Sequence, residues 1–197
     1  VRLFAGKINR PVTQSGIEMD AQGTKASDLD QAALDDDLDA KVEALRDEFV
    51  RRYAAQICVD SAVYPGGDQL VEALKARGIR LGIVTNKPRF LTHKLSAELK
   101  LNQHFGSILS PEDVSQSKPD PEALFLAAQQ LGVNPENCWY VGDHERDIEA
   151  GRRAGMTTVI ARYGYIDANA DEDLRARWQA DHQVHSLTEL SQLLGLS

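Results

Sequence analysis

The sequence predicts an α/β fold in which a parallel sheet is covered by helices on both faces. Beyond Tyr64, short apolar runs of strand length alternate with amphipathic helical segments, and this alternation is typical of βαβ units. Polar residues follow the ends of these runs, where an open parallel sheet carries its ligand site. With 197 residues and 42% hydrophobic side chains, the chain is long enough for one main core and one additional region.

The strands and helices of the α/β part follow one another regularly. Strands are predicted over residues 79–84, 106–109, 138–141 and 157–161. Helices are predicted over residues 68–77, 88–100, 120–132, 147–155 and 187–194. Gly78, Gly132 and Gly155 are candidate C-caps, and Asp120 followed by Pro121 is a typical helix start.

The first sixty residues have a different character. In residues 1–24, glycines and a proline break every candidate periodicity, so no core strand is assigned there. Residues 28–57 have helical periodicity, as one long helix or as two helices with a break near Asp35. We therefore expect a helical region over residues 1–60 and the α/β core over residues 61–197.

Composition limits the partners and the location. The formal net charge is -8 and no Lys/Arg cluster runs along any segment, so a nucleic-acid partner is not expected. Cys58 and Cys138 lie far apart beside apolar residues, which indicates reduced core cysteines of a cytosolic protein. No apolar run approaches the roughly 18 residues of a membrane span, and the first residues lack the apolar centre of a signal peptide. The expected location is the cytoplasm.

Two carboxylates follow the strand predicted at residues 138–141. Asp143 comes directly after it, beyond Gly142, and Asp147 opens the next helix. Both acids should therefore face the crevice beyond the strand ends, where two carboxylates suit a hard cation such as Mg2+. The alternative is that Asp147 is only a helix N-cap and Asp143 an exposed loop acid.

Three further polar residues fall at the same edge of the predicted sheet. Thr85 and Asn86 follow the first strand, where a hydroxyl and backbone N–H groups can hold phosphate oxygens. Lys118 is a cation on a segment stiffened by two prolines. Singly, Thr85 could be a cap or turn residue and Lys118 one of many exposed lysines. Together with the two acids, they are the parts that stabilise charge in phosphoryl transfer.

These stretches resemble a known family. IVTNKP, SKPDPEALFLAAQQLG and YVGDHERDIEAGRRAG resemble motifs II, III and IV of the haloacid dehalogenase (HAD) superfamily, most closely its phosphoglycolate phosphatase-like branch. The segment RYGYI at residues 162–166 also resembles the N-acetylmuramic acid 6-phosphate phosphatases of that branch. The resemblance implies a Rossmann-like core with a helical cap, so that residues 1–60 would be part of the cap.

The resemblance also implies roles for the site residues. Thr85 would hydrogen-bond the phosphoryl group, with Asn86 in the same phosphate-binding segment. Lys118 would neutralise the nucleophile and the transferring phosphate. Asp143 would bind Mg2+, and Asp147 would orient that metal site.

One motif of the family is missing. Its members begin with an apolar strand ending in DxDGT, in which the first Asp attacks phosphorus and the second protonates the leaving group. The nearest text is MDAQGT at residues 19–24, where Asp20 could be the nucleophile and Gln22 replaces the acid. The preferred interpretation is that residues 1–16 already belong to the cap and that the first strand is absent. Because that strand lies in the middle of the family's sheet, its absence predicts a gap.

Three functions remain open from the sequence. The first is a Mg2+-dependent phosphomonoester hydrolase for a small phosphorylated metabolite, truncated or impaired because its nucleophile motif is missing. The second is a non-catalytic HAD-like protein that binds phosphate and metal. A haloacid dehalogenase is a weaker third, because it has no need for a carboxylate pair that holds Mg2+. The sequence sets neither the substrate nor the oligomeric state.

Overall fold

The computed structural model describes residues 41–166 and 173–196, apart from positions 46, 49, 56 and 58–60. The predictions for Asp20, for the break near Asp35 and for Cys58 lie outside the described residues. Positions 41–45 and 50–55 are helical, as the periodicity predicts.

Five strands and six α-helices are described in the remainder of the chain. The strands are β1 Gly82–Val84, β2 Ser107–Leu109, β3 Trp139–Gly142, β4 Thr157–Ala161 and β5 His182–Val184. The helices are α1 Gly67–Ala76, α2 Arg89–Glu98, α3 Glu122–Leu131, α4 Glu145–Arg153, α5 Leu174–Trp178 and α6 Leu187–Leu193. Across residues 41–166 and 173–196, no helix combines the length and hydropathy that a bilayer crossing requires.

All described strand pairs are parallel. β1 pairs with β2, with Gly82 opposite Ser107, and β3 pairs with β4, with Trp139 opposite Thr157. β5 adds to the far side of β4. The α/β class with a parallel sheet is therefore confirmed.

Neighbouring residues of each strand point to opposite sides of the sheet. Both faces carry apolar side chains, and helices cover each of them. Ile83 and Val141 pack into one core layer, which includes residues from α1 and α6. Val84 and Tyr140 pack into a second layer with residues from α3 and α4. The first layer contains residues from both β1 and β3, so these two strands share one hydrophobic core.

A gap separates β1 from β3. Among the described residues, the strands form a two-stranded sheet of β1 and β2 and a three-stranded sheet of β3, β4 and β5, here called the first and second half-sheets. A cavity of about 540 Å3 lies between them. Its lining includes Val84, Tyr140, Val141, Leu124, Ala128 and Leu190. The interruption expected from the missing first strand is thus present in the described part of the chain.

Several element boundaries differ from the prediction. β5 and α5 are not predicted from the sequence, because three largely polar residues and a five-residue helix carry no clear periodicity. Helix α4 begins at Glu145, before Asp147, because the His144 side chain accepts the Arg146 N–H and acts as the N-cap. Cys138 is a free thiol but only half-buried, so it was wrongly placed in the core; partial burial raises the pKa of its thiol.

The start of α3 is also a correction. Asp120 is not its N-cap, since the helix begins at Glu122 and Pro121 occupies the cap position. Asp120 nevertheless supports this turn, because its carboxylate accepts the Glu122 N–H at 2.9 Å.

Candidate active site

The predicted site residues lie at the carboxyl ends of the two half-sheets. Thr85 follows β1 and Asp143 follows β3, while Lys118 precedes α3 and Asp147 lies in the first turn of α4. These four residues are buried, with exposed fractions between 0% for Asp147 and 8% for Thr85. Burial of two acids, a lysine and a threonine at one sheet edge is unusual unless they are paired or functional.

Lys118 is the central cation of the site. Its Nζ donates to the Val84 carbonyl at 2.9 Å, to the Tyr140 hydroxyl at 2.8 Å and to Asp147 Oδ1 at 2.7 Å. The side chains of Lys118 and Asp147 are both 0% exposed. Lys118 is therefore not an exposed surface lysine; it joins the last residue of β1 to β3 and α4 across the gap.

Asp147 is held by this ion pair and by a close backbone approach. A Cβ at position 142 would lie 2.9 Å from Asp147 Cγ and 3.0 Å from its Oδ2, so the carboxyl group fits because Gly142 has no side chain. His144 is the N-cap of α4, and the Asp147 carboxylate faces Lys118. The interpretation of Asp147 as only an N-cap is therefore not supported.

Asp143 is also buried against backbone. Its Oδ2 accepts the Tyr165 N–H at 3.1 Å, and the residue is only 7% exposed. It is therefore not an exposed loop acid. Nearby, burial raises the pKa of the Tyr163 phenol well above its usual range, with Tyr64 and the Asp143 carboxylate adding to the shift.

Thr85 and Asn86 are committed to local contacts. The Thr85 N–H donates to the Leu109 carbonyl at 3.0 Å, and its Oγ1 accepts the Lys87 N–H at 3.1 Å, which is a turn contact. Because a hydroxyl both accepts and donates, Thr85 Oγ1 can also donate a hydrogen bond. Asn86 Nδ2 donates to the Lys118 carbonyl at 3.2 Å, so it ties the β1 loop to the Lys118 loop.

The donor set at this edge fits Mg2+ in kind. In the part of the chain that the structure describes, no group of three His, Cys, Asp or Glu residues could enclose a metal ion. Mg2+ does not need such a group, because it commonly binds through one or two carboxylates plus water and phosphate oxygens. Since Asp147 Oδ1 is paired with Lys118, Asp143 is the main candidate ligand and Asp147 the supporting acid.

Sequence reasoning missed three residues of this site. Tyr140 was assigned only as a buried strand residue, yet its hydroxyl contacts Lys118. The sequence places Gly142 directly after a predicted strand and Gly164 in the RYGYI segment, but it does not indicate their close contacts to the two acids. Nothing in a single sequence shows which side chains these positions will meet.

An α/β fold with an acid pair, a buried lysine and a threonine at the strand ends defines a HAD-type hydrolase site. Comparison with known proteins agrees, since residues 18–161 match the haloacid dehalogenase-like hydrolase family. The chain belongs to this family, and the resemblance noted from the three motifs is confirmed.

The more specific similarities are to phosphatases. The chain is 41% identical over 154 residues to N-acetylmuramic acid 6-phosphate phosphatase of Pseudomonas aeruginosa PAO1, covering 78% of this chain and 67% of that protein. It is 38% identical to phosphoglycolate phosphatase of Xylella fastidiosa Temecula1, covering 74% of this chain and 62% of the relative. A solved structure of a predicted phosphoglycolate phosphatase from Haemophilus somnus 129pt superposes with a TM-score of 0.67 at 27% identity, over 74% of this chain and 63% of that one. The chain thus spans roughly two thirds of the length of these relatives.

Proposed function

We propose that this chain supplies the phosphate-binding and metal-binding parts of a Mg2+-dependent phosphomonoester hydrolase. The observation that carries the proposal is the buried Lys118, which links the end of β1 to Tyr140 and Asp147 at the edge where Thr85 and Asp143 also lie. The proposed division into a partial cap over residues 1–60 and a core over residues 61–197 follows the same family pattern.

Each residue has a distinct part in this proposal. Lys118 supplies a fixed positive charge for the phosphoryl group. Its low-dielectric surroundings make the attraction between the two stronger than it would be in water. The Thr85 hydroxyl donates to a phosphate oxygen. Asp143, supported by Asp147, would hold Mg2+. When bound, the cation would neutralise charge on the phosphoryl oxygens.

The attacking carboxylate is the part that the 197 residues do not clearly supply. The sequence contains no DxDGT motif, and Asp20 lies outside the described residues. A strand seated between β1 and β3 would end beside Lys118, so an acid at its end would face the bound phosphate. We therefore propose that the chain as given binds phosphate and metal but turns over phosphomonoesters poorly.

The substrate is proposed to be a small phosphorylated metabolite. The names of the relatives specify N-acetylmuramic acid 6-phosphate and phosphoglycolate, which are both small phosphorylated acids. The second candidate function, a non-catalytic phosphate-binding and metal-binding protein, is favoured by the missing DxDGT motif. The cytoplasmic location and the absence of a nucleic-acid partner stay predictions.

A turnover assay separates these functions. The chain is incubated with a generic aryl phosphate, phosphoglycolate and N-acetylmuramic acid 6-phosphate, each with Mg2+ and with a chelator. We expect at most weak Mg2+-dependent release of phosphate, unchanged in Asp20→Asn. Robust turnover that Asp20→Asn abolishes would show that Asp20 is the nucleophile and that the first sixty residues include the catalytic strand. Phosphate binding with no turnover, even after a nucleophilic strand is supplied, would favour the binding protein.

A further inference from the structure

The turn that follows β4 lies directly against Asp143. Within it, the Gly164 N–H donates to the Ala161 carbonyl at 2.9 Å, and the Arg162 N–H donates to the Val184 carbonyl of β5 at 2.8 Å. These bonds fix the turn to the second half-sheet. The backbone that faces Asp143 is therefore hydrogen-bonded to β4 and β5.

Gly164 permits an unusually close approach between this backbone and the acid. A Cβ at position 164 would lie 2.7 Å from Asp143 Oδ2 and 3.0 Å from Asp143 Cγ. An alanine could not be accommodated unless the carboxyl group moved, because such distances are well inside van der Waals contact. The next N–H, that of Tyr165, donates to the same Oδ2 at 3.1 Å.

The two acids of the site are thus held in different ways. Asp147 is paired with the Lys118 cation, whereas the Asp143 Oδ2 receives a neutral backbone donor. A backbone N–H orients a carboxylate without bringing a formal charge to it.

We propose that Gly164 and the Tyr165 N–H are positioning elements that fix the Asp143 carboxylate in the orientation used for cation binding. The inference rests on the proposed function and assigns it a supporting turn that acts on Asp143 through its backbone. Outer partners of this kind orient a ligand carboxylate, and Mg2+ is sensitive to orientation because it demands near-ideal octahedral geometry.

The test compares two adjacent alanine substitutions in the full chain. Gly164→Ala introduces the clash, whereas Tyr165→Ala keeps the backbone N–H and removes a side chain from a residue that is 50% exposed. We expect Gly164→Ala to weaken Mg2+ binding by about tenfold or more in isothermal titration, and Tyr165→Ala to leave it unchanged. Ca2+ binding should fall less, because Ca2+ accepts longer and more variable distances. General destabilisation would not change the ratio of the Mg2+ affinity to the Ca2+ affinity, as long as the protein stays folded in the titration.

A metal-free measurement separates this inference from the proposed function. Hydrogen exchange of the residue 165 amide should be slow in the parent and in Tyr165→Ala, and fast in Gly164→Ala and Asp143→Ala. If the parent fails to bind Mg2+, the proposed metal site is lost while this exchange pattern still decides whether the turn positions Asp143. Equal protection of the amide in the parent and Gly164→Ala, or equal Mg2+ affinity where the parent binds, would overturn the inference.

A second background covers the case in which Gly164→Ala does not fold. Asp143→Gly removes the group that the new methyl would meet, so Gly164→Ala should lower the melting temperature much less in that background than in the parent. An equal loss in both backgrounds would show that the glycine serves the turn rather than Asp143.

Discussion

The first and second half-sheets end at the same edge of the fold, but the groups that they place there differ in charge. The first half-sheet brings Thr85 and Asn86, which are neutral and already bonded to nearby backbone. The second brings two buried carboxylates, Asp143 and Asp147. Lys118 lies in neither half-sheet and contacts both, through the Val84 carbonyl and the Tyr140 hydroxyl. The buried positive charge at this edge therefore comes from a loop lysine. The Tyr140 hydroxyl adds a second link across the gap, since it donates to the Val84 carbonyl at 3.3 Å.

The largest effect is expected from a strand that joins the two half-sheets. A strand of alternating small and branched apolar residues ending in Asp-x-Asp-Gly-Thr, linked ahead of Val1, should occupy the gap and raise Mg2+-dependent turnover by several orders of magnitude. Unfolding should also require more denaturant, because backbone groups and apolar surface become paired. The control is the same strand with its first aspartate replaced by asparagine, which should stabilise without turnover. A strand that adds neither stability nor activity would argue against the gap as its site.

Removing the lysine should weaken the link between the half-sheets and lower the stability of the fold. Lys118→Ala leaves the Asp147 carboxylate buried without its cation, so we expect the free energy of unfolding to fall by about 3–5 kcal/mol in urea titrations. Lys94→Ala, on the exposed side of α2, is the matched control and should change it by less than about 0.5 kcal/mol. A loss no larger than the control would mean that the buried pair does not form in solution.

Phosphate binding tests whether both half-sheets contribute. At phosphate concentrations about 100-fold above its dissociation constant, the fold should gain about 2.7 kcal/mol, seen as a higher melting temperature. Thr85→Val should reduce this shift and Lys118→Ala should remove most of it. Thr157→Val, at the opposite end of the second half-sheet, should retain it. Shifts that survive both site substitutions would place the phosphate elsewhere.

Metal binding should belong to the second half-sheet. Asp143→Asn removes an anionic ligand and should weaken Mg2+ binding about tenfold or more in isothermal titration. Glu145→Gln changes the same charge two residues later on an exposed side chain and should have little effect. Equal affinities for Asp143→Asn and the parent would remove Asp143 from the metal site.

The smallest expected effect is on the stability of the second half-sheet at low pH, measured as the free energy of unfolding. The Thr158 N–H donates to Asp181 Oδ2 at 2.7 Å, and this bond lowers the pKa of that carboxyl. Since the pKa is lower in the folded state, the contribution is present above the unfolded value of about 3.9 and is lost as pH falls through the lowered value. Asp181→Asn should therefore flatten part of the acid-side loss in urea titrations, whereas the exposed Glu136→Gln should not. Identical pH profiles for Asp181→Asn and the parent would contradict this.

Much of this arrangement could be predicted from sequence. The apolar runs fixed three of the five strands closely, and the polar residues after them located the edge that carries Thr85, Asp143 and Lys118. This succeeded because strand direction in a parallel sheet determines which edge the following residues share. The first strand was predicted too early, over residues 79–84, and only Gly82–Val84 form it.

The remainder depends on tertiary contacts. The burial of Lys118 and its bond to Tyr140 depend on how the two half-sheets pack together, which no local pattern encodes. β5 consists of His182–Val184, and its place is set by pairing with β4 rather than by its own composition. The RYGYI segment does not indicate that Gly164 will lie against Asp143, because that contact forms only in the folded chain.

The cavity between the half-sheets also has a mechanical consequence. Hydrostatic pressure favours the state with the smaller total volume, and internal voids that disappear on unfolding make the folded state the larger one. With the cavity of about 540 Å3 between its half-sheets, the chain should therefore unfold at a lower pressure than the same chain with a strand in that space. Occupying that space with a polypeptide strand would make the protein less compressible.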